Sequence, residues 1–329
     1  MRVIPAESLI PYIHNALDTE MCSDGTLAFS RFTQSQQARY RYDSARLSQN
    51  DLFTITYASA NVTLEMETDS HVFGMDFRWK DRVNHGFASF DLMVDGRLWG
   101  HLYTDKEKCR LLAFKLLGDG KTHHVQLFMP WSAEVRVRSI TLSDGAYGDS
   151  ITQGYLGTHP AMNYIGCVTR ELNAECLNQA IGGYYFEEAS LDDRLANWQP
   201  DLVTIAYGTN DYALRPTLAD IVSHAEAFCR RLTEIFPGIP ILGIMPIYRD
   251  DERHHMRELM RDWSFRDELE ALGHVYAQFD QVTVLEDTWY PRHADFLAPD
   301  QVHPNDMGFL LYGQRVTEAV RNLRLCSKS

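Results

Sequence analysis

A serine that could act as a nucleophile stands in the segment 147–154, which reads YGDSITQG. A serine at a turn from a strand into a helix exposes its hydroxyl at the carboxyl edge of the sheet, where it can attack a carbonyl carbon. The N–H of the same residue can then donate to the oxyanion that forms. Aspartate and serine are also favoured helix N-caps, so Asp149 and Ser150 alone fit a purely structural role at least as well.

A candidate base lies near the end of the chain, where Asp300 and His303 stand three residues apart in DQVHP. A serine hydroxyl needs a base within hydrogen-bond reach, and an imidazole titrates in the useful range. A carboxylate that accepts the other ring N–H fixes the tautomer of that base. Loop histidines bonded to a nearby carboxylate are common, so the pair by itself is only suggestive.

Two further segments could supply hydrogen-bond donors to an oxyanion. Asn210 in GTND (208–211) follows a buried strand, and ligands of open α/β sheets bind at that edge. Gly182 and Gly183 end the segment NQAIGG (178–183), where a glycine lets a backbone N–H approach a substrate closely. Both segments are also ordinary turn sequences.

The elements that must position these residues change in character near residue 145. Before it, turn sequences such as Asp95-Gly96 separate short runs of β-forming residues. This spacing, with no helical period between the runs, predicts an antiparallel β-sandwich or jelly roll. The predicted strands cover 52–58, 61–67, 71–79, 88–94, 97–103, 110–117, 123–129 and 134–142.

After residue 145 the sequence alternates between apolar runs and longer segments of helical periodicity. Near-continuous apolar runs indicate strands covered on both faces, and stretches of helical periodicity separate or follow them. This order predicts a parallel sheet with helices on both faces, and we expect two domains, a β-sandwich over 1–145 and an α/β domain over 146–329. The runs lie at 201–207, 239–247 and 282–285, and the helical stretches at 218–236, 253–272 and 307–323.

The junction between the two predicted domains is unusual. An apolar strand normally leads into a nucleophile turn, yet only Ala146 and Tyr147 separate Asp144-Gly145 from Gly148. Three explanations are open. The run at 135–142 serves both domains, or the first strand of the parallel sheet is very short, or a linker and part of a strand are missing from the sequence.

The four segments, in this order, resemble the blocks of the SGNH, or GDSL, hydrolase superfamily, which contribute Ser, Gly, Asn and His. The resemblance covers about residues 146–323 and implies a flavodoxin-like α/β/α fold, a serine esterase activity and no cofactor. It implies Ser150 as the nucleophile, His303 as the base and Asp300 as the residue that orients the base.

The resemblance also implies three oxyanion donors, which are the Ser150 N–H, the Gly183 N–H and the Asn210 side chain. Gly183 is preferred to Gly182 because Gly182 falls at the serine position of the family's second block. Ala180 replaces an earlier glycine of that block, a departure that an unstrained backbone tolerates.

The segment 86–96 (GFASFDLMVDG) resembles the GxDLY-type sandwich domain that precedes some SGNH esterases. Asp91 and Leu92 match that pattern, whereas Ser89 replaces Gly and Met93 replaces Tyr. Esterases that remove acetyl groups from polysaccharides also join a β-sandwich to an SGNH domain. By this analogy we expect hydrolysis of short acyl esters, acetyl first among them, on a carbohydrate. A thioesterase, a short-chain lipase-like esterase and a catalytically inert carbohydrate-binding protein are the alternatives.

The composition of the chain limits the classes of partner and the location that can be expected. The net charge of −14 argues against a nucleic-acid partner, which needs a basic face, and mildly against anionic membranes; no apolar run has the length of a membrane span. The six cysteines are scattered without CxxC spacing, which favours reduced thiols and the cytoplasm. The oligomeric state is not readable from the sequence.

Other candidate residues are weaker. His123-His124 and His254-His255 are too poorly spaced for a metal site, so we expect no metal. The segment 289–293 (WYPRH), shortly before Asp300, is the best candidate for a pocket wall. Trp289 and Tyr290 in it, together with Asp149, are therefore the expected substrate-binding residues.

Overall fold

The fold is described from a computed structural model of the chain. For some residues, namely Arg46, Val72, Leu111, Ala113, Lys115, Tyr147, Gly148, Ser150 and those at 324–326, it describes the backbone alone. The structure describes residues 4–46, 51–68, 72–105, 111–116, 122–137, 147–148, 150–153, 156–172, 174, 176–250 and 261–326.

Two antiparallel five-stranded sheets occupy the first part of the chain. One has the strand order β1-β4-β9-β6-β7 and the other has the order β2-β3-β10-β5-β8. The strands are β1 Ile13–His14, β2 Asp18–Met21, β3 Leu27–Ser30, β4 Thr63–Thr68, β5 Val72–Asp81, β6 Ala88–Val94, β7 Arg97–Thr104, β8 Leu111–Lys115, β9 His123–Phe128 and β10 Ala133–Val137.

The two sheets share one cluster of buried side chains. It takes Leu64, Phe90 and Leu127 from the first sheet, and Phe77 and Val135 from the second. Alternate residues of a strand point to opposite faces, so the predicted alternation places these side chains between the sheets. β6 is buried along its whole length because its outer face is also covered, by the segment around Ala161.

A four-stranded parallel sheet follows, with the order β11-β12-β13-β14. Every neighbouring pair is parallel, and β12 and β13 are buried at all positions, as near-continuous apolar strands require. The strands are β11 Tyr147–Gly148, β12 Val203–Ala206, β13 Ile241–Ile244 and β14 Val282–Leu285.

Helices cover both faces of the parallel sheet. Buried residues of α6 and α7 form one cluster with side chains of β12 and β13, and buried residues of α4 and α8 form a second cluster with other side chains of the same strands. Apolar residues spaced at three and four produce these faces. The helices are α1 Gln34–Arg46, α2 Leu52–Ile55, α3 Ser150–Gln153, α4 Tyr164–Leu172, α5 Thr209–Leu214, α6 Leu218–Ile235, α7 Phe265–Tyr276 and α8 Asp306–Cys326.

Several expectations about secondary structure were wrong. The stretch 52–58 is not a strand but begins with α2, whose first turn is capped because the Asp51 carboxylate accepts the Thr54 N–H at 3.0 Å. Helix α1 was missed because its sequence is polar on nearly every side. The predicted helix at 253–272 begins only at Phe265 in the described part, after a capping box on Ser264, and 251–260 lie outside the described residues.

The described part of the strand that leads into the candidate nucleophile is two residues long. β11 has two residues, Tyr147 and Gly148, which pair with Ile205 and Ala206 of β12. β10, at Ala133–Val137, pairs with β5 and β3 in an antiparallel sheet. Residues 138–146 lie outside the described residues. The lead-in before Tyr147, on which the three explanations differ, lies outside the described residues.

The composition predicts reduced cysteines and no membrane-spanning segment. Cys22, Cys167, Cys176 and Cys229 are free thiols, and the other two cysteine side chains lie outside the description. In the part of the chain that the structure describes, none of the helices combines the length and the apolar character that crossing a membrane requires.

Candidate active site

Ser150 is the first residue of α3, directly beyond the carboxyl end of β11. Because Gly148 pairs in parallel with Ala206, the chain leaves both strands at the same edge of the sheet. A backbone N–H in the first turn of a helix has no partner within that helix and is free to face a ligand. Asp149, expected to bind the substrate, lies outside the described residues.

Asn210 lies in the first turn of α5, at the same edge, after β12. The backbone between them turns at Gly208, whose φ of +122° is essentially closed to other residues. One N–H of the Asn210 amide donates to the Tyr184 carbonyl at 2.9 Å. That bond fixes the orientation of the amide, which has a second N–H that can donate.

Gly183 occupies the turn that follows Asn178. The Tyr184 N–H donates to the Ile181 carbonyl at 3.1 Å, and Gly183 has φ +83°, as the third position of a type II turn requires. Gly182 is buried, and its N–H donates to the Gln153 side chain at 2.6 Å, whereas Gly183 is partly exposed. The geometry thus favours Gly183 over Gly182 as a donor to a ligand.

The helix that carries Ser150 is bound to this turn at two points. Gln153, the last residue of α3, accepts the Gly182 N–H and donates its amide to the Trp131 carbonyl at 3.1 Å. Asn178 donates to the Thr152 carbonyl at 2.9 Å and accepts the Ala180 N–H at the same distance. Both side chains are fully buried, so these bonds are shielded from water.

Arg31 holds the same segment from the other side. Its guanidinium, 1% exposed, donates to the carbonyls of Asn178 and Ala180 at 2.6 and 3.1 Å, and to the Ala58 carbonyl at 2.9 Å. Burial lowers the pKa of Arg31 to about 9. The antiparallel part of the chain therefore supports the glycine turn directly.

Asp300 and His303 form the closest side-chain pair of the candidate site. Nδ1 of His303 lies 2.5 Å from Oδ2 of Asp300, and the other carboxylate oxygen accepts the N–H groups of Val302 and His303, each at 3.1 Å. Burial alone would raise the pKa of Asp300, but these hydrogen bonds and the nearby imidazole outweigh it, so the pKa lies below its ordinary value. A carboxylate held ionised in this way fixes the tautomer in which Nε2 of His303 is the base.

The loop that carries His303 is held by backbone hydrogen bonds. The Ala298 N–H donates to the His303 carbonyl at 2.7 Å, and Gln301 turns the chain at φ +62°. The Gln301 carbonyl accepts the Asp250 N–H at 2.9 Å, which attaches the loop to the segment that follows β13. This places the pair at the carboxyl end of the parallel sheet, where Ser150 and Asn210 also lie.

Residues adjacent in sequence to Ser150 and Asn210 line a small cavity. Ile151, next to Ser150, and Thr209, next to Asn210, line it together with Pro246 and Tyr312. The wall residues expected from the sequence, Trp289 and Tyr290, do not line it but contact Tyr312, which does. Tyr290 is 1% exposed and donates to the Phe296 carbonyl at 2.9 Å; Trp289 packs against it, with ring centres 5.5 Å apart. Their role in substrate binding stays a prediction.

Behind Asn210, two carboxyl groups are fully buried. Asp211 accepts the Phe186 N–H at 3.2 Å and lies 3.5 Å from Nε of Arg215; burial raises its pKa to about 6. The pKa of Glu268 lies well above its ordinary value, mainly because the group is buried and also because of the nearby charge of Asp211. Asp211 thus supports the chain next to Tyr184, the residue that holds Asn210.

A serine at the edge of a parallel sheet, hydrogen-bond donors beside it and a carboxylate-bound histidine are features of hydrolases that transfer acyl groups through a serine. The sequence profile of the GDSL-like Lipase/Acylhydrolase family matches residues 146–310. The chain belongs to this family and is an enzyme of the GDSL type, a carboxylic ester hydrolase. No curated protein matches the chain in sequence.

Solved structures share the fold across nearly the whole chain. The salicylyl-acyltransferase SsfX3 from a tetracycline biosynthetic pathway superposes with a TM-score of 0.75 at 18% identity, covering 94% of each chain. A protein described as a GDSL-like lipase from Bacteroides ovatus gives 0.70 at 18% identity, covering 97% of this chain and 96% of the other. A family two carbohydrate esterase from Clostridium thermocellum, in complex with cellohexaose, gives 0.60 at 16% identity, covering 80% and 93%.

Sequence reasoning missed the residues that hold the site. Gln153 lies within the nucleophile segment, yet nothing in its spacing marks it as the acceptor of the Gly182 N–H. Arg31 lies far from the four segments in the sequence. A single arginine among strands carries no signal of burial, because arginine is mostly found at the surface.

Proposed function

We propose that the chain is a serine esterase that hydrolyses short acyl esters, acetyl first among them, on a carbohydrate. The observation that carries the proposal is the 2.5 Å contact between Nδ1 of His303 and Asp300, at the sheet edge after which the Ser150 and Asn210 helices begin. An imidazole oriented by a carboxylate can activate a weak nucleophile such as a serine hydroxyl.

In the proposed mechanism, Ser150 attacks the ester carbonyl while Nε2 of His303 takes the hydroxyl proton. The N–H groups of Ser150 and Gly183 and the Asn210 amide stabilise the oxyanion of the tetrahedral intermediate. The intermediate collapses as His303 protonates the leaving alcohol, which leaves an acyl-serine. Water, deprotonated by His303, then attacks this ester, releases the acid and returns the proton to Ser150.

The substrate class rests on two supports. The carbohydrate esterase structure with cellohexaose shares the fold over 80% of this chain, which supports a sugar as the alcohol. The cavity beside Ile151 and Thr209 is small and lined by large side chains such as Tyr207 and Tyr312, which supports a short acyl group.

We also propose the division into a β-sandwich domain over 1–145 and an SGNH domain over 146–329.

The test is hydrolysis by the wild type and by Ser150→Ala, with the exposed Ser23→Ala as a matched control. The substrates are p-nitrophenyl esters of increasing chain length, an acetylated oligosaccharide and an acyl thioester. We expect Ser150→Ala to lower kcat on the order of 10⁶-fold, and Asn210→Ala about 10²–10³-fold. Rates should fall as the acyl chain lengthens, and the acetylated sugar should exceed the thioester in kcat/KM.

The alternatives give different results in the same experiment. Preference for the thioester would make the chain a thioesterase, and preference for longer acyl chains would make it lipase-like. A wild type that binds an oligosaccharide but hydrolyses none of the esters would be an inert carbohydrate-binding protein. Near-native hydrolysis by Ser150→Ala would show that another residue is the nucleophile.

A second candidate function is acyl transfer to an alcohol other than water. The likeness to the salicylyl-acyltransferase, which covers 94% of each chain, favours it. An acyl-serine is resolved by whichever nucleophile reaches it, so both reactions share the first step. Product analysis with an added sugar acceptor separates them, because transfer forms a new ester whereas hydrolysis forms only the free acid.

The free thiols of Cys167, Cys176 and Cys229 support the cytoplasm as the proposed location, since buried reduced cysteines are usual there.

A further inference from the structure

A second cluster of chemically active side chains lies outside the candidate active site. Asp91 on β6 and His101 on β7 meet His159, which belongs to the segment between α3 and α4. Asp91 and His101 are directly opposite each other in the β6–β7 register, whereas His159 comes from the part of the chain that forms the parallel sheet. The cluster therefore joins two parts of the fold that are distant in sequence.

The three side chains converge on one carboxylate oxygen. Nδ1 of His101 lies 2.6 Å from Oδ1 of Asp91, and Nδ1 of His159 lies 3.2 Å from the same oxygen. All three ligand atoms lie within 4.8 Å of one another, and the centres of the two imidazole rings are 4.6 Å apart. Two imidazole nitrogens and a carboxylate oxygen at this spacing can be ligands of one metal ion after a small adjustment.

The surroundings of Asp91 resemble those of a metal ligand. Its side chain is fully buried, and Oδ2 accepts the Ala161 N–H at 3.0 Å. A second hydrogen bond of this kind fixes the orientation of a ligating carboxylate in metal sites. The imidazoles are partly open to solvent, His101 at 27% and His159 at 30%, so an ion can enter and keep a water molecule.

We propose that Asp91, His101 and His159 bind a divalent transition-metal ion of the Zn²⁺ class. Nitrogen and oxygen ligands lie about 2.0–2.2 Å from Zn²⁺, which spaces tetrahedral ligands roughly 3.3–3.6 Å apart. His159 already stands at nearly that distance from Oδ1, and the partly exposed His101 ring needs to move outward by less than about 1 Å. Water completes the coordination.

The ion would attach His159, which follows Ser150 by nine residues, to the antiparallel sheet of Asp91. It would act by holding this segment and not by taking part in ester cleavage. Sequence spacing predicts no metal here, because the three residues come from separate strands and a loop. The binding site is independent of the proposed esterase activity.

The simplest alternative is a hydrogen-bonded cluster in which both neutral imidazoles donate an N–H to Asp91. Such a cluster stabilises the fold but has no affinity for metal. The experiment therefore measures metal binding directly. It uses the full chain without a polyhistidine tag, stripped with a chelator and dialysed.

Isothermal titration with ZnCl₂ should give one site per chain, and Co²⁺ should give the visible absorption of a tetrahedral site at the same stoichiometry. His101→Ala and His159→Ala should each weaken binding by at least about 10²-fold, the upper end of the loss caused by removing an outer-shell partner. The control is His124→Ala, which removes a histidine that lies 3.3 Å from Glu65 in the same sheet. It should leave Zn²⁺ binding unchanged.

The two histidine variants should keep the circular dichroism spectrum of the wild type, since both side chains are partly exposed. Lack of a saturable Zn²⁺ site in the folded wild type overturns the proposal. Binding that survives both histidine substitutions overturns it as well, because the ion then lies elsewhere.

Discussion

The side-chain oxygen of Gln153 accepts the N–H of Gly182 at a distance of 2.6 Å. This bond connects the end of the helix that begins with Ser150 to the residue before Gly183. It also removes the Gly182 N–H from the set of donors available to a ligand. Two parts of the proposed oxyanion hole, the Ser150 N–H and the Gly183 N–H, are thereby held in one rigid unit.

Gln153→Ala is expected to lower kcat by about 10–10²-fold with little change in KM, because misplaced oxyanion donors weaken transition-state binding more than substrate binding. Gln153→Glu keeps an acceptor for the Gly182 N–H but loses the amide that donates to Trp131. It should therefore recover part of the loss. Steady-state kinetics with p-nitrophenyl acetate provides the measurement. A rise in KM alone, equal in both variants, would contradict the positioning role.

Asp300→Asn is expected to lower kcat on the order of 10³–10⁴-fold, the size of effect seen when the carboxylate of a serine–histidine–aspartate triad becomes an amide. The amide can donate to Nδ1 of His303, which favours the tautomer whose Nε2 carries the proton. Asp295→Asn is the control, because Asp295 also approaches a histidine, His293 at 3.3 Å, but is 81% exposed. If both substitutions reduce turnover equally, the Asp300–His303 contact has no special role.

Gly208→Ala is expected to destabilise the chain by roughly 2–5 kcal/mol. A Cβ at this φ of +122° would lie 2.5 Å from Cγ of Pro246, so strain and overpacking add. Gly273→Ala in α7 is the comparison, since a Cβ there meets nothing within 4 Å. Alanine is favoured in helices, so this variant should gain about 0.5–1 kcal/mol. Urea unfolding measures both, and a Gly208→Ala chain as stable as the wild type would refute the strained turn.

Glu268→Gln is expected to change how stability depends on pH. The pKa of Glu268 is raised in the folded state, so its contribution to stability is complete below its ordinary pKa and is lost as the pH rises through the raised value. Glutamine does not ionise and avoids that loss. The Tm of Glu268→Gln relative to the wild type should therefore increase from pH 5 to pH 8.

The control for this titration is Glu270→Gln on the same helix, where the carboxylate is 60% exposed and forms a surface ion pair with Arg266 at 3.0 Å. Such pairs contribute about 0–1 kcal/mol, so the variant should shift Tm only slightly. A Glu268→Gln difference that stays constant across this pH range would mean that the buried carboxyl does not titrate as proposed.

Much of the fold is predictable from local patterns. The strands 88–94 and 282–285 begin and end where expected, because each is a run of β-forming residues with a local sequence signal. Helix α1 could not be found in this way. It buries only a few side chains, among them Tyr40 and the polar Gln36 and Asp43, so its sequence has no apolar stripe.

Part of the candidate site is likewise predictable from the sequence, and part is not. The residue types and order of Ser150, Asn210 and His303 indicate acyl chemistry, and the parallel sheet brings the ends of their strands to one edge. The supporting contacts of Arg31 and Gln153 depend on how the antiparallel sheets pack against this edge. Such packing is a property of the tertiary structure and leaves no periodic signal in the sequence.

The central claim is that Ser150 becomes acylated, and covalent labelling tests it most directly. The wild-type chain is treated with a fluorophosphonate, and the modified residue is identified by mass spectrometry of the intact chain and of its peptides. We expect one adduct per chain, on the peptide that contains Ser150, and none in Ser150→Ala. An adduct on another residue, or no adduct in a wild type that hydrolyses p-nitrophenyl acetate, would contradict it.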